Sequence, residues 1–580
     1  MIPASPAARP SSAVVVLRLH LEEAAAAMDA TFRHAAASAS IGRHGNTAAG
    51  FYTATGPLLL GGRESHPLLL EASAEALAFL VNRHGTGDRP FGADELYLTN
   101  DPGSDAAGVE DLVLATPIVR NGRLAAFVAL TATHPGLGRA TLAPVDRLRR
   151  EGLILPWMRI GRLGRVHEET MDLLAVNSDD PAEFREDLAV QLHALGQGRA
   201  ALEEALDRFG EDSLHELAGV AASGAQRAMR QILGKPETEE LVGRAAPFIA
   251  HIRRDAPLPR VRIETVAEAR NHGVTAALSR AAVRAALREV VAVESPALSV
   301  LGGLADAVTI ETRLGPTPPS QPTGEARFVG AQLVADAVRA AVAGALPHLT
   351  HAPDAACLLL DLRGQRDDGS QYRARLGLPG GLGASVLGDG LTHGTSTFSP
   401  YRTHGVEDIE RAFPVRVVHL QILPDSAGPG QYHGGSGVSF ELQLLEGRAE
   451  VDLLVPGRAI GMQGGMGGRD ARALHMTLRD GTREIRGPAR VTIRLEPGDR
   501  LGVESAGGGG WGIPFQRSIM RLEEDLARGL VTPDQSRNRY GLILRPGSLE
   551  KDDHLTYRVR HYLLSTLAVE DIIAGEELLD

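Results

Sequence analysis

Two apolar runs, residues 112–119 and 123–132, are separated by Arg-Asn-Gly-Arg. Asn121-Gly122 is the pair that a tight hairpin turn asks for, because both central residues of such a turn carry positive φ. The two runs are therefore expected to form an antiparallel hairpin. A third strand near 95–99 leads into it through LTNDPGSDAAGVED, residues 98–111, where Asp101, Asp105, Glu110 and Asp111 stand close together. Asp111 opens the first hairpin strand and His134 ends the second. The topology thus brings a carboxylate and an imidazole to the same end of adjacent strands. That pair is a common part of a Mn²⁺ or Zn²⁺ site, with Asp101 or Glu110 able to add hard oxygen ligands. Asp and Asn are equally at home as turn caps, and the residues by themselves leave both readings open.

The rest of the chain is read around this hairpin. Residues 19–38 and 66–85 carry helical apolar spacing, with FYTATGPLLLGG as a strand and turn between them. Residues 167–233 read as almost wholly helical, with Asp180 as a cap before Pro181 and Gly210 as a stop. Residues 236–312 are mixed, and the Pro-rich stretch 313–326 reads as a linker or exposed loop. Short strands and glycine-dense turns fill 355 to 515. The expected class is a multi-domain α+β protein, its N-terminal α+β domain carrying the metal loop and helices, its C-terminal domain Gly-rich and β. The expected segments are 1–235, 236–330, 331–515 and a helical tail 516–580.

At 580 residues the chain exceeds what one hydrophobic core supports. No apolar run reaches membrane-spanning length and the first residues lack a signal-peptide pattern, so a cytoplasmic protein with no membrane contact is expected. A net charge of -12, without a basic stretch studded with aromatics, argues against a nucleic-acid partner. The single cysteine, Cys357, lies in an apolar run and reads as a buried hydrophobe. Lysine occurs only at 235 and 551, and Lys235 lacks the upstream glycine of a phosphate-binding loop. Any ATP is then expected on a partner chain.

Three glycine-rich stretches, 425–437, 461–470 and 504–514, offer two readings. Their amides could form anion nests, or they could be tight turns and close strand crossings. No GxSxG elbow and no HExxH pattern occurs, and His404 with Glu407 reads as a solvated or capping pair.

Taken in order, YLTNDPG (97–103), VEDLVLATPIVRNGRLAAFVALTATH (109–134), EGLILP (151–156), REDLAVQL (185–192), GVEDIERAFPVRV (405–417), LPDSAGPGQYHGGSG (423–437) and ESAGGGGWGIPF resemble the hydantoinase B and oxoprolinase group, which includes acetone and acetophenone carboxylase subunits. The resemblance implies a B-type subunit of an ATP-dependent cyclic amidohydrolase. A partner subunit of hydantoinase A type and actin-like ATPase fold would phosphorylate a carbonyl of a small cyclic amide or ketone, and this chain would process the product by hydrolysis or by carboxylation. It also implies a divalent metal, Mn, Zn or Mg, on a His-x-x-Asp pair after the Asn-Asp-Pro turn and on a histidine of the returning strand. Mapped here, Asp111 and His134 would be catalytic and would bind the metal, with Asp101 as a replacement ligand. Asn100, Gly428, Gly430, Gly434 and Gly435 would contact substrate. The chain departs from the pattern at Gly108, where the first histidine would fall, and His134 sits one residue later than the usual register.

Overall fold

The protein, seen here in a computed structural model, is described for residues 11–576 except 39–40, 42–45, 86–89, 135–136, 138–152, 164, 179, 234–239, 255–257, 267–273, 316–325, 356, 395, 400–404, 456–461, 479–480 and 485–488. Lys235, His404 and most of the Pro-rich stretch lie outside the described residues. The chain divides into two units, Met1–Leu349 and Thr350–Asp580. The boundary expected near 330 falls inside a helix, and 236–330 belongs to the first unit.

The first unit begins with helix α1 (Ser12–Ala35), whose first turn is capped by the Ser11 hydroxyl accepting from the Val14 amide. Strands β1 (Thr47–Thr53) and β2 (Leu58–Gly61), helix α2 (Pro67–Gly85) and strand β3 (Glu95–Thr99) follow. Then come β4 (Asp111–Arg120), β5 (Arg123–Thr133), β6 (Met158–Arg162) and β7 (Arg165–Val166). These seven strands form one antiparallel sheet in the order β2-β1-β5-β4-β3-β6-β7. Asn121 and Gly122 take φ of 49° and 73°, the left-handed pair that the sequence demanded.

Helices α3 (Glu168–Val176), α4 (Pro181–Phe209) and α5 (Glu211–Leu233) follow. Asp180 caps α4 through its carboxylate, with Pro181 at the first position, and Gly210 ends it at φ 79°. Leu112, Leu114, Leu130 and Ala132 point from the sheet into a core shared with α1 and α4, which covers one face. Helix α2 covers the other, where Ser73 and Thr131 share a hydroxyl hydrogen bond of 2.6 Å.

A second sheet holds β8 (Glu240–Ala245), β9 (Phe248–Arg253), β10 (Arg260–Thr265) and β11 (Thr309–Arg313), and packs against helix α7 (Ala326–Ala343). Helix α6 (Ala276–Glu294) sits between α2 and α7.

The second unit is a sandwich of two antiparallel sheets. One sheet comprises β12 (Leu358–Gln365), β13 (Gln371–Leu378), β16 (Arg448–Val455) and β19 (Ala489–Leu495). The other comprises β14 (Val415–Ile422), β15 (Val438–Leu444), β17 (His475–Leu478), β18 (Gly481–Glu484) and β20 (Arg500–Glu504). Leu358, Leu360, Phe440, Leu442, Leu453 and Val503 form its core. Helices α8 (Val406–Ala412), α9 (Ile519–Ala527), α10 (Pro533–Tyr540) and α11 (Asp553–Glu576) complete the described part.

The glycine stretches interlock backbone on backbone. A Cβ at Gly434 would lie 1.9 Å from the Gly508 carbonyl oxygen, and one at Gly508 would lie 2.0 Å from that of Leu382. The amides of Gly428, Gly434 and Gly435 donate to the carbonyls of Gly508, Gly428 and Leu382. Close crossing, the plainer of the two readings, accounts for these three positions.

Candidate active site

The loop between β3 and β4 is held by its own side chains. Asn100 is fully buried, and its Nδ2 donates to the carbonyls of Val109 (2.5 Å) and Leu153 (2.8 Å). Its Oδ1 accepts from the Leu155 amide at 2.7 Å. Both N–H donors of that amide and its oxygen are thereby engaged within the chain. Asp101 caps a 3₁₀ turn at Pro102–Ser104, accepting from the Gly103 amide (2.8 Å) and the Ser104 hydroxyl (2.9 Å). Asp105 takes φ 63° and faces Arg280 of α6 at 3.6 Å.

Asp111 and His134 reach the same end of the hairpin, as the topology requires, but not the same face. The register has one irregularity, near Ile118/Val119, and beyond it Asp111 pairs with Thr133. Cross-strand partners share a face, and a neighbour one residue along points the other way. The bulge thus sets Thr133 beside Asp111, where the Thr133 hydroxyl donates to Oδ1 at 2.7 Å. His134 turns towards α4: its ring lies 5.1 Å from that of Phe184, and Nε2 pairs with Gln191 Oε1 at 3.0 Å. Gln191 Nε2 already donates to the carbonyls of Leu112 and Leu130, so Oε1 is the acceptor and His134 Nε2 carries the proton. Burial pushes the imidazole's pKa down, against the pull of Gln191 and of nearby Asp187. His134 is a neutral donor that fastens α4 to the hairpin.

The partner that Asp111 finds lies 216 residues away. Arg327, in the first turn of α7, donates to Asp111 Oδ2 through Nε at 2.8 Å, with a second guanidinium nitrogen at 2.7 Å from the same oxygen. Arg327 is 1% exposed and Asp111 0%. The guanidinium lies over the Phe328 ring at 4.5 Å, and that ring meets His66 edge-on at 5.6 Å. Burial pushes the Asp111 carboxyl pKa up, and the guanidinium and Thr133 pull it back. Gly108 completes the arrangement, since a Cβ there would stand 2.5 Å from Arg327 Nε and 2.7 Å from Cζ.

These residues do not fit a divalent cation at Asp111. Its oxygens are engaged by a guanidinium and a hydroxyl, position 108 offers no side chain, and Asp101 and His134 are engaged elsewhere. Among the described residues no three of His, Cys, Asp and Glu converge where a metal ion could be held.

Sequence reasoning passed over Arg327 and a second feature beside it. On α6, Arg280, Arg284 and Arg288 recur every four residues, and on α2 Glu71 and Glu75 do the same. They interlock as a ladder, Arg284 to both glutamates, Arg288 to Glu71 and Arg280 to Glu75. The i,i+4 spacing was the available signal. The ladder, through Arg280 and Asp105, ties α6 to the site loop.

The first unit is α+β, with a buried carboxylate at the open end of its central hairpin, and the second is a glycine-layered β sandwich. The chain belongs to the hydantoinase B/oxoprolinase family, whose model matches residues 12–514. It is 24% identical to the caprolactamase subunit beta of Pseudomonas jessenii over 524 residues, covering 82% of this chain and 86% of that one. The solved structure of the ATP-dependent caprolactamase from the same organism superposes with a TM-score of 0.78 at 20% identity, covering 94% of this chain and 99% of that one. A nucleotide-free acetone carboxylase structure superposes with a TM-score of 0.79 at 16% identity, covering 97% and 85%. These two likenesses establish the fold. Among the described residues no helix is long and apolar enough to cross a membrane.

Proposed function

We propose that the chain is the B-type subunit of an ATP-dependent complex that opens a small cyclic amide. The observation that carries this reading is its correspondence with a caprolactamase subunit over most of both chains, 82% of one against 86% of the other. In this reading an A-type ATPase subunit transfers the γ-phosphoryl group of ATP to the substrate's carbonyl oxygen. The scarcity of lysine and the missing phosphate loop fit ATP held by that partner. Water then adds to the activated carbon, the ring C–N bond breaks with a proton going to the departing nitrogen, and a further water releases phosphate. Asp111 with Arg327 marks the reacting end of this chain, on a loop that Asn100 fixes; His134 positions α4 against it.

The test is reconstitution with the A-type subunit and a panel of lactams, hydantoins and 5-oxoproline. Expected is ATP turnover that depends on one of these rings, with the ring-opened amino acid identified by mass spectrometry. A second reading, a carboxylase subunit, has the acetone carboxylase superposition in its support. Bicarbonate-dependent turnover of a ketone would select it over the first. Complex activity untouched by Asp111→Asn would instead assign the chain a scaffolding role.

A further inference from the structure

Gly108, Asp111, Thr133 and Arg327 come from two strand ends, a loop and a distant helix, and they meet at one buried point. We infer that Arg327 is a resident cation: its guanidinium takes the seat against Asp111 that a divalent metal would need, and keeps metal out of it.

Charge and volume both argue for this. The Asp111 carboxylate faces the Arg327 guanidinium at 2.7–2.8 Å, and a divalent ion brought to the same oxygens would meet that fixed positive charge at contact distance. The guanidinium also fills the space in front of position 108. Any side chain there would begin 2.5–2.7 Å from its Nε, Cδ and Cζ atoms. A ligating histidine at 108 and Arg327 in its present place are therefore mutually exclusive. Opposite, the bulged register sets Thr133 rather than His134 on the face of Asp111, and a neutral hydroxyl donor suits a carboxylate already paired with arginine. Packing holds the arginine in this seat, since its guanidinium lies over Phe328 with 1% of the residue exposed. A guanidinium cannot be removed by a chelator, so agents that strip a metalloenzyme leave the cation of this site in place.

The experiment measures metal rather than activity. The full chain, purified from a culture supplemented with Mn²⁺ and Zn²⁺, is analysed by mass spectrometry for bound metal beside Asp111→Asn and the triple variant Gly108→His/Thr133→His/Arg327→Ala. Wild type is expected to hold no metal that depends on Asp111, and neither ion should raise its unfolding temperature. The triple variant, with two imidazoles and a released carboxylate, is expected to bind about one equivalent and to lose it on adding Asp111→Asn. Wild type with about one equivalent that Asp111→Asn removes would overturn the inference. So would a folded triple variant that stays metal-free. Should the triple variant fail to fold, wild-type content and its thermal response decide alone: Asp111-dependent metal overturns the inference, and its absence upholds it.

Discussion

Removing the Arg327 guanidinium should expose how strongly the Asp111 pair is coupled. At 2.8 Å and an effective dielectric of about 20, the gross attraction of two unit charges is about 6 kcal/mol, most of it offset by taking both groups out of water. Breaking one side of such a buried pair costs about 3–5 kcal/mol, because the remaining charge is left without its counter-ion. Arg327→Met and Asp111→Asn should each lose about that much from the first unit, while the double variant should fall short of the summed loss by roughly 2–3 kcal/mol. The assay is urea unfolding followed by tryptophan fluorescence. Trp157, whose indole donates to the Ala76 carbonyl of α2 at 3.0 Å, reports on the first unit once Trp511 is replaced by phenylalanine. The pH dependence adds a sign. Without arginine, burial is opposed only by the Thr133 hydrogen bond, and the Asp111 pKa rises further above the unfolded value, so the variant's deficit should shrink as pH falls and the carboxyl protonates. Additive single losses, or an Arg327→Met loss under about 1 kcal/mol, would refute the reasoning.

Asp29, on the buried face of α1 with Thr47 and Ser65 donating to it, has its pKa pushed up by burial to about 6 from 3.8. The wild-type first unit should therefore lose about 2 kcal/mol relative to Asp29→Asn as pH rises from 4 to just above 6, a trend that unfolding curves across that window would check. Asn100→Ala removes three hydrogen bonds to backbone, one to Val109 of the site loop and two to Leu153 and Leu155 of the segment before β6, and should cost about 2–4 kcal/mol in the same assay. It should also lower the activity of the reconstituted complex. Gly434→Ala drives a methyl into the Gly508 carbonyl and should abolish soluble expression or cut second-unit stability by about 3 kcal/mol or more, whereas Gly388→Ala, with open space, should stay within about 0.5 kcal/mol of wild type.

The hairpin was legible because its turn chemistry is local: Asn121-Gly122 fixes a left-handed pair whatever surrounds it. The long helices were legible from the Asp180-Pro181 cap and the Gly210 stop. The side-chain faces at the far end of the hairpin were not, because one bulged position near Ile118/Val119 inverts every face beyond it, and nothing in the apolar run LAAFVALTAT marks where the extra residue goes. Arg327 was invisible for a different reason. It follows a Pro-rich stretch, looks like any other arginine in an arginine-rich chain, and acquires meaning only when α7 is folded onto the loop.

The departures around Asp111 form one physical unit. A histidine at 108 collides with the guanidinium; losing the guanidinium leaves a fully buried carboxylate with only a hydroxyl to face it; moving the register back by one residue removes that hydroxyl from its oxygen. Each change is costly while the others stand, so Gly108, Thr133 and Arg327 are consistent only together. For the same reason Gly108→His alone, the substitution that the motif order most directly suggests, should destabilise the first unit without creating a metal site. Binding should appear only once Arg327 is shortened and a ligand stands at 133.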